Sequence, residues 1–177
     1  MITITATGDT TLHTAGKYCE EDILVKVPVG GEGGVNELFK KIASVPVEGG
    51  DFISLTAEDF KDIIMIRLGF CYSHHLLEEV ELSDDVEIIL NEAFKSCRML
   101  KKVTLGRNLT DIYSEAFSGC SNLTTIYCRC ADPPLMDDGV LYHTPLEQIV
   151  VPIGSGNAYK NATNWSQWGD IIVEGNL

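Results

Sequence analysis

The 177-residue chain predicts an α/β repeat solenoid: short parallel strands in 23-residue units, a helical cap at the C-terminal end and a small β module at the N-terminal end. Three observations predict it. The stretch AFKSCRMLKKVTL, beginning at Ala93, returns 23 residues later as AFSGCSNLTTIYC, beginning at Ala116. The same step keeps apolar residues in column: Leu77, Leu100, Leu123 and Leu146; Val80, Val103, Ile126 and Ile149; Leu82, Leu105, Cys128 and Val151. Two more columns, Ile63, Val86, Leu109 and Ile66, Ile89, Ile112, extend the pattern upstream, and an aromatic position holds Cys71, Phe94, Phe117 and Val140.

Each unit thus supplies one short strand, with Val103 and Leu105 pointing inward and Lys102 and Thr104 outward. A single unit cannot bury its apolar edge, whereas a stack buries a continuous core and leaves two ends to cover. The spelling L-x-x-V-x-L at a period of roughly 20 to 29 residues is that of a leucine-rich repeat.

Residues 52–177 resemble the BspA-like leucine-rich repeats of bacteria, whose signature is Ala-Phe, a Cys, then L-x-x-I-x-L. CADPPL followed by IVVPIGSGNAYKNATNWSQWGDII is similar to that family's terminal unit. The resemblance implies a non-catalytic protein that binds a protein or a cell-surface glycan. It also raises the alternative of a surface adhesin that binds host proteins or glycans.

The organisation expected is a β module over 1–28, a Gly-rich linker over 29–34, a helical lead-in and N-terminal cap over 35–62, repeats over 63–152 and a C-terminal cap over 153–177. TITATGDTTLHTAGKYCEEDILVKVPV alternates like a hairpin or three-stranded sheet, with Ile23, Val25 and Val27 on one face. GGEGG then reads as flexible linker. VNELFKKIASV reads as a helix, joined through Gly49 and Gly50 to SLTAEDF, where Thr56 and Asp59 form a variant capping box. In the cap, Ala158, Tyr159, Ala162, Trp165, Trp168, Ile171 and Ile172 lie close to a helical stripe, expected to shield the open end rather than to form a sugar platform.

The phrases Gly-Lys-Tyr (from Gly16) and Asp-Ile-x-Val-x-Val-Pro (from Asp22) resemble a short β module of phage and prophage tail proteins of Gram-positive bacteria. That resemblance implies a virion or prophage-tail location and other tail proteins as partners of the N-terminal module. The opening MITITATGDT lacks a basic stretch followed by an apolar one, so no ordinary secretory signal is expected. The alternative location is the bacterial cell surface.

Charge narrows the partners. The net charge is −13, and residues 1–90 hold 17 of the 26 acids but 6 of the 13 bases. Nucleic-acid affinity rests on cations displacing condensed counterions, so nucleic acid is not an expected partner. Nor is membrane insertion, since DIIMIRLGF, the longest apolar run, is broken by Arg67 and falls short of the roughly 20 residues a span needs. Homo-oligomerisation stays open.

The chain has no Walker loop, no G-x-S-x-G elbow and no H-E-x-x-H. That leaves cysteine and histidine. Cys97 and Cys120 share a column, and steps of 23 place His74 before them and His143 after. Two Cys and two His suit zinc by count. Strands about 4.8 Å apart, however, spread four such donors over roughly 14 Å, and zinc holds its ligands within about 2.3 Å. Core packing is therefore expected, with no metal, no cofactor and no catalytic residue. The acidic runs LEEVELSDDVE and MDDG lack calcium-loop spacing and read as solvated surface, and four N-x-S/T triplets (from Asn108, Asn122, Asn161 and Asn164) read as accidents of composition. The outward strand positions, Glu79, Glu81, Lys102, Thr104, Thr125, Tyr127, Arg129 and Gln148, form the candidate interaction face, with Tyr127 and Arg129 of the types enriched at hot spots.

Overall fold

The computed structural model describes residues 54–66 and 68–177 and, ahead of these, the backbone of three strands, β1 (Thr3–Thr7), β2 (Asp9–His13) and β3 (Asp22–Lys26). These form an antiparallel sheet in which β2 pairs with both neighbours, Leu12 standing opposite Ile4 and Ile23. The linker, the VNELFKKIASV segment, Gly49, Gly50, Cys19 and Arg67 lie outside the described residues.

From residue 54 the chain builds two parallel sheets. The main one contains β4 (Ser54–Leu55), β6 (Glu79–Glu81), β8 (Lys102–Leu105), β10 (Thr125–Cys128), β12 (Gln148–Pro152) and β13 (Ile172–Gly175), in that spatial order. The second contains β5 (Met65–Ile66), β7 (Ile88–Ile89), β9 (Asp111–Ile112) and β11 (Leu135–Met136). Each unit therefore gives two strands, not one. The columns that extended the pattern upstream are the second strand, whose two-residue length hides its alternation.

Register follows the repeat. Val80, Val103, Ile126, Ile149 and Ile172 are successive partners in the main sheet, and Ile66, Ile89 and Ile112 in the second. All eight are buried, so both sheets face one core. The columns of Leu77 and Leu82 are buried too, except that Leu146 only packs against the core's margin. Inside, Phe94 stacks on Phe117 with centroids 5.2 Å apart and planes 2° from parallel. Cys71 occupies the backbone position equivalent to Phe94, its amide bonding Ala93 O as that of Phe94 bonds Ala116 O. The ring next to Phe94 on that side belongs instead to Phe70, edge-on at 6.0 Å.

The turn after the second strand uses two left-handed residues per unit. Gly69, Glu92, Glu115 and Gly139 fill the first position and Ser73, Ser96, Gly119 and His143 the second, all at φ between 57° and 78°. This alignment corrects two sequence expectations. The last step is 24 residues, because Leu135 pairs with Asp111 and the Phe117 amide bonds Val140 O. Leu141, not Val140, thus stands in the aromatic column, and Thr144, not His143, stands in line with Cys120. His143 is exposed in the turn. An extra residue between Cys128 and Leu135 shifts the frame, and the shorter run into Leu146 restores it.

The C-terminal cap is less helical than the stripe predicts. It comprises a short helix α1 (Gly156–Asn161), a 3-10 segment Ser166–Ile171 and then β13, which extends the main sheet parallel to β12. Ala158 is exposed. The helix ends where Ala162 turns extended and Asn164 goes left-handed at φ 63°, and Asn164 then donates its amide to Met136 O at 2.7 Å. Trp165 packs edge-on against Tyr159 at 5.1 Å and donates Nε1–H to Pro134 O at 2.8 Å. The Tyr159 hydroxyl donates to Cys130 O at 3.0 Å. Two aromatic side chains thereby satisfy carbonyls of the preceding unit while covering its apolar end. Ahead of the first rungs, Asp59 accepts the amide and the hydroxyl of Thr56, each at 2.8 Å, at the 3-10 turn Ala57–Phe60.

Candidate functional site

The cysteines and histidines belong to the core and its turns. Cys97 Sγ donates to Cys71 O at 2.9 Å, Cys120 Sγ to Phe94 O at 3.1 Å and Cys130 Sγ to Gly106 O at 3.0 Å. Each thiol reaches back one unit to a carbonyl. Burial is the first cause that raises their pKa values, to about 12 for Cys120 and about 11 for Cys130, with Cys97 and Cys128 raised as well. Nucleophilic or metal-binding chemistry needs the thiolate, and here the proton is held in a hydrogen bond. Cys97, Cys120, Cys128 and Cys130 are free thiols. Among the described residues no group of three or more His, Cys, Asp and Glu side chains could hold a metal ion.

His74 is buried, and its Nδ1 accepts the Leu77 amide at 3.0 Å. In the next units that amide bonds a backbone carbonyl instead, Leu100 to Cys97 O and Leu123 to Cys120 O. The imidazole thus replaces a main-chain acceptor at the turn. Burial, followed by the neighbouring His75, lowers its pKa.

The acid-rich stretch at 78–87 stitches neighbouring units together. The Ser83 hydroxyl donates to Phe60 O at 2.8 Å, and Asp85 accepts the Asp62 amide at 3.0 Å from the unit before. Asp84 accepts the Arg107 amide at 2.9 Å from the unit after. Glycine is required beyond it: a Cβ on Gly106 would lie 2.1 Å from Ser83 O.

The outward residues of the main sheet form the candidate face. Register sets Ser54, Glu79, Lys102, Thr125 and Gln148 side by side in one column, and Glu81, Thr104, Tyr127, Val150 and Val173 in the next. Glu79 and Lys102, adjacent as predicted, form an ion pair at 3.0 Å. Lys101 pairs with Glu78 at 2.8 Å on the flank. Arg129 reaches two strands back to Glu81 and also approaches Asp84 at 3.8 Å. The guanidinium expected to serve as an open hot spot is therefore occupied within the chain, its side chain 22% exposed. Thr104, Thr125 and Tyr127 are half-buried and Gln148 is exposed.

Sequence reasoning missed Val150, an outward residue that is nevertheless buried, next to Tyr127 and opposite Val173. The run QIVVP carried the signal, since three consecutive apolar residues on a strand place one of them on the outer face. The only acid on β13, Glu174, turns back to accept the Gly156 amide at 2.8 Å.

A family model described as the BspA type leucine rich repeat region matches residues 66–162 in six copies. No curated protein matches the chain.

Proposed function

Because the chain belongs to the BspA type leucine rich repeat family, we propose that it is a non-catalytic solenoid binding protein, associated with a phage or prophage tail, that recognises a host surface through the outward face of its main sheet. One observation carries the binding reading. Four strands in register hold Glu79, Glu81, Lys102, Thr104, Thr125, Tyr127 and Gln148 on one surface, while the opposite sides of the same strands make the core. A flat, rigid array of this kind presents side chains at little ordering cost, which favours recognition. The thiols, by contrast, are buried and protonated, and offer no nucleophile. The tail association is supported by the resemblance of the Gly-Lys-Tyr and Asp-Ile-x-Val-x-Val-Pro phrases to tail proteins.

Two measurements test the reading. Fluorescently labelled protein should decorate host cells, and Gln148→Ala together with Tyr127→Ala should remove the signal without moving the melting temperature by more than about 3 °C. Wild-type protein should co-purify with tail particles, and a chain lacking residues 1–34 should not. Equal decoration by the face variants sinks the binding surface. Export and wall-anchoring genes as neighbours, in place of tail and lysis genes, sink the tail association.

A further inference from the structure

The ion pairs divide the main-sheet face into two parts, and the division says what kind of partner it takes. Along the first three strands every charge is matched within the chain: Glu79 by Lys102, Glu81 by Arg129, and Glu78 by Lys101 at the flank. The remaining outward side chains, Thr104, Thr125, Tyr127 and Gln148, carry no charge, and among the described residues none of the four hydrogen-bonds to another group of the chain. The strands beneath them, β8, β10 and β12, are all interior to the sheet, so their backbone groups are consumed by ladder pairing on both sides. An added peptide strand has nothing to bond to there.

Resting on the binding reading above, we propose that this uncharged patch is a recognition site for a neutral oligosaccharide. The chemistry matches on each count. Register places Thr104 beside Tyr127 and Thr125 beside Gln148, at a spacing of about 4.8 Å between strands and about 6.7 Å along one strand. Two hydroxyls, a carboxamide and a phenol both donate and accept, as sugar hydroxyls do. The half-buried Tyr127 ring offers a surface for the C–H face of a sugar ring. An acidic or basic ligand finds no open counter-charge, because each cation on the face already has its carboxylate. A protein partner is anchored by clustered Trp, Tyr and Arg side chains in desolvated pockets, and here Tyr127 stands alone because Arg129 is engaged by Glu81.

The test uses the full chain on an array of neutral, sialylated and sulfated oligosaccharides, followed by titration of the neutral members retained. Neutral oligosaccharides should bind, with affinity changing less than about twofold between roughly 50 and 500 mM NaCl. Tyr127→Ala and, separately, Gln148→Ala should weaken that binding by about tenfold or more. Gln148 is exposed, so its variant decides the matter even where Tyr127→Ala disturbs packing. Retention of acidic oligosaccharides alone, or of none, overturns the proposal. Cells separate this failure from failure of the binding reading. Face-dependent binding that survives periodate oxidation but not protease treatment overturns the sugar and keeps the face, whereas cell binding indifferent to Tyr127 and Gln148 overturns both.

Discussion

Replacing Trp165 with alanine distinguishes a structural cap from a sugar platform, because the two roles demand opposite exposures. Trp165 is 1% exposed, its Nε1–H donates to Pro134 O at 2.8 Å, and its ring meets Tyr159 edge-on at 5.1 Å. Removing a buried tryptophan costs about 3–5 kcal/mol from lost burial and the cavity left behind. Pro134 O loses its donor as well, a penalty of about 1–3 kcal/mol that overlaps the first. A net loss of about 4 kcal/mol is the consistent value. For a chain of this size each kcal/mol moves the midpoint by about 2–4 °C, so the melting temperature should fall by about 12 °C. Circular dichroism during heating and urea titration measure it, the urea slope staying near that of the wild type. A fall of less than about 3 °C, accompanied by lost glycan binding, would refute the cap and make Trp165 part of a binding site.

Further expectations follow from the same contacts. Gly106→Ala should destabilise by at least about 3 kcal/mol, because its Cβ would sit 2.1 Å from Ser83 O and 2.8 Å from the carbonyl carbon; a urea midpoint equal to the wild type's contradicts the close approach of β6 and β8. Tyr159→Phe keeps the ring but removes the bond to Cys130 O at 3.0 Å, and should lower stability by about 1–3 kcal/mol in urea titration; no change means that Cys130 O finds another donor. His74 has a folded pKa below its usual 6.5, so the unfolded chain takes up the proton first. Its stabilising contribution is complete above the unfolded value and is lost as pH falls through about 6.5 towards the lower folded value. His74→Asn should flatten the fall in melting temperature as the pH drops below about 6.5, and identical pH profiles for the two proteins would assign the acid sensitivity elsewhere.

The repeats were legible in the sequence because a stacked core imposes its period directly. Val80, Val103, Ile126 and Ile149 stay in column, since each side chain packs on the equivalent residue of the next strand. Single-residue shifts were not legible, because columns on either side of them still look apolar. Val140 satisfies the aromatic column by hydrophobicity, and only the Phe117 amide bonding Val140 O reveals that Leu141 stands there. The second sheet escaped for a related reason: at two residues per strand, alternation has no room to appear. On the candidate face, alternation places Glu79 and Lys102 side by side and identifies the outward set. It cannot place Arg129 against Glu81, because that contact skips a strand and depends on the length of the side chain.

That contact alters what the charge pattern means. The acids crowd into the first half of the chain, yet Glu78, Glu79, Glu81 and Asp84 are answered by Lys101, Lys102, Arg107 and Arg129 from later units. In a parallel stack each outward residue stands about 4.8 Å from its counterparts in adjoining strands, so like charges in one column repel and opposite charges attract. Such exposed pairs contribute at most about 1 kcal/mol each, too little to explain the fold. Their effect on the surface is greater than on stability, because every paired cation is withdrawn from competition for an outside ligand. Charge on this face is accordingly a property of the stack, and its uncharged positions are the ones left to meet a partner. A variant such as Lys102→Glu should therefore act chiefly by setting three carboxylates, those of residues 79, 81 and 102, on neighbouring strands. It should repel anionic probes without touching the contacts made by Thr125, Tyr127 and Gln148.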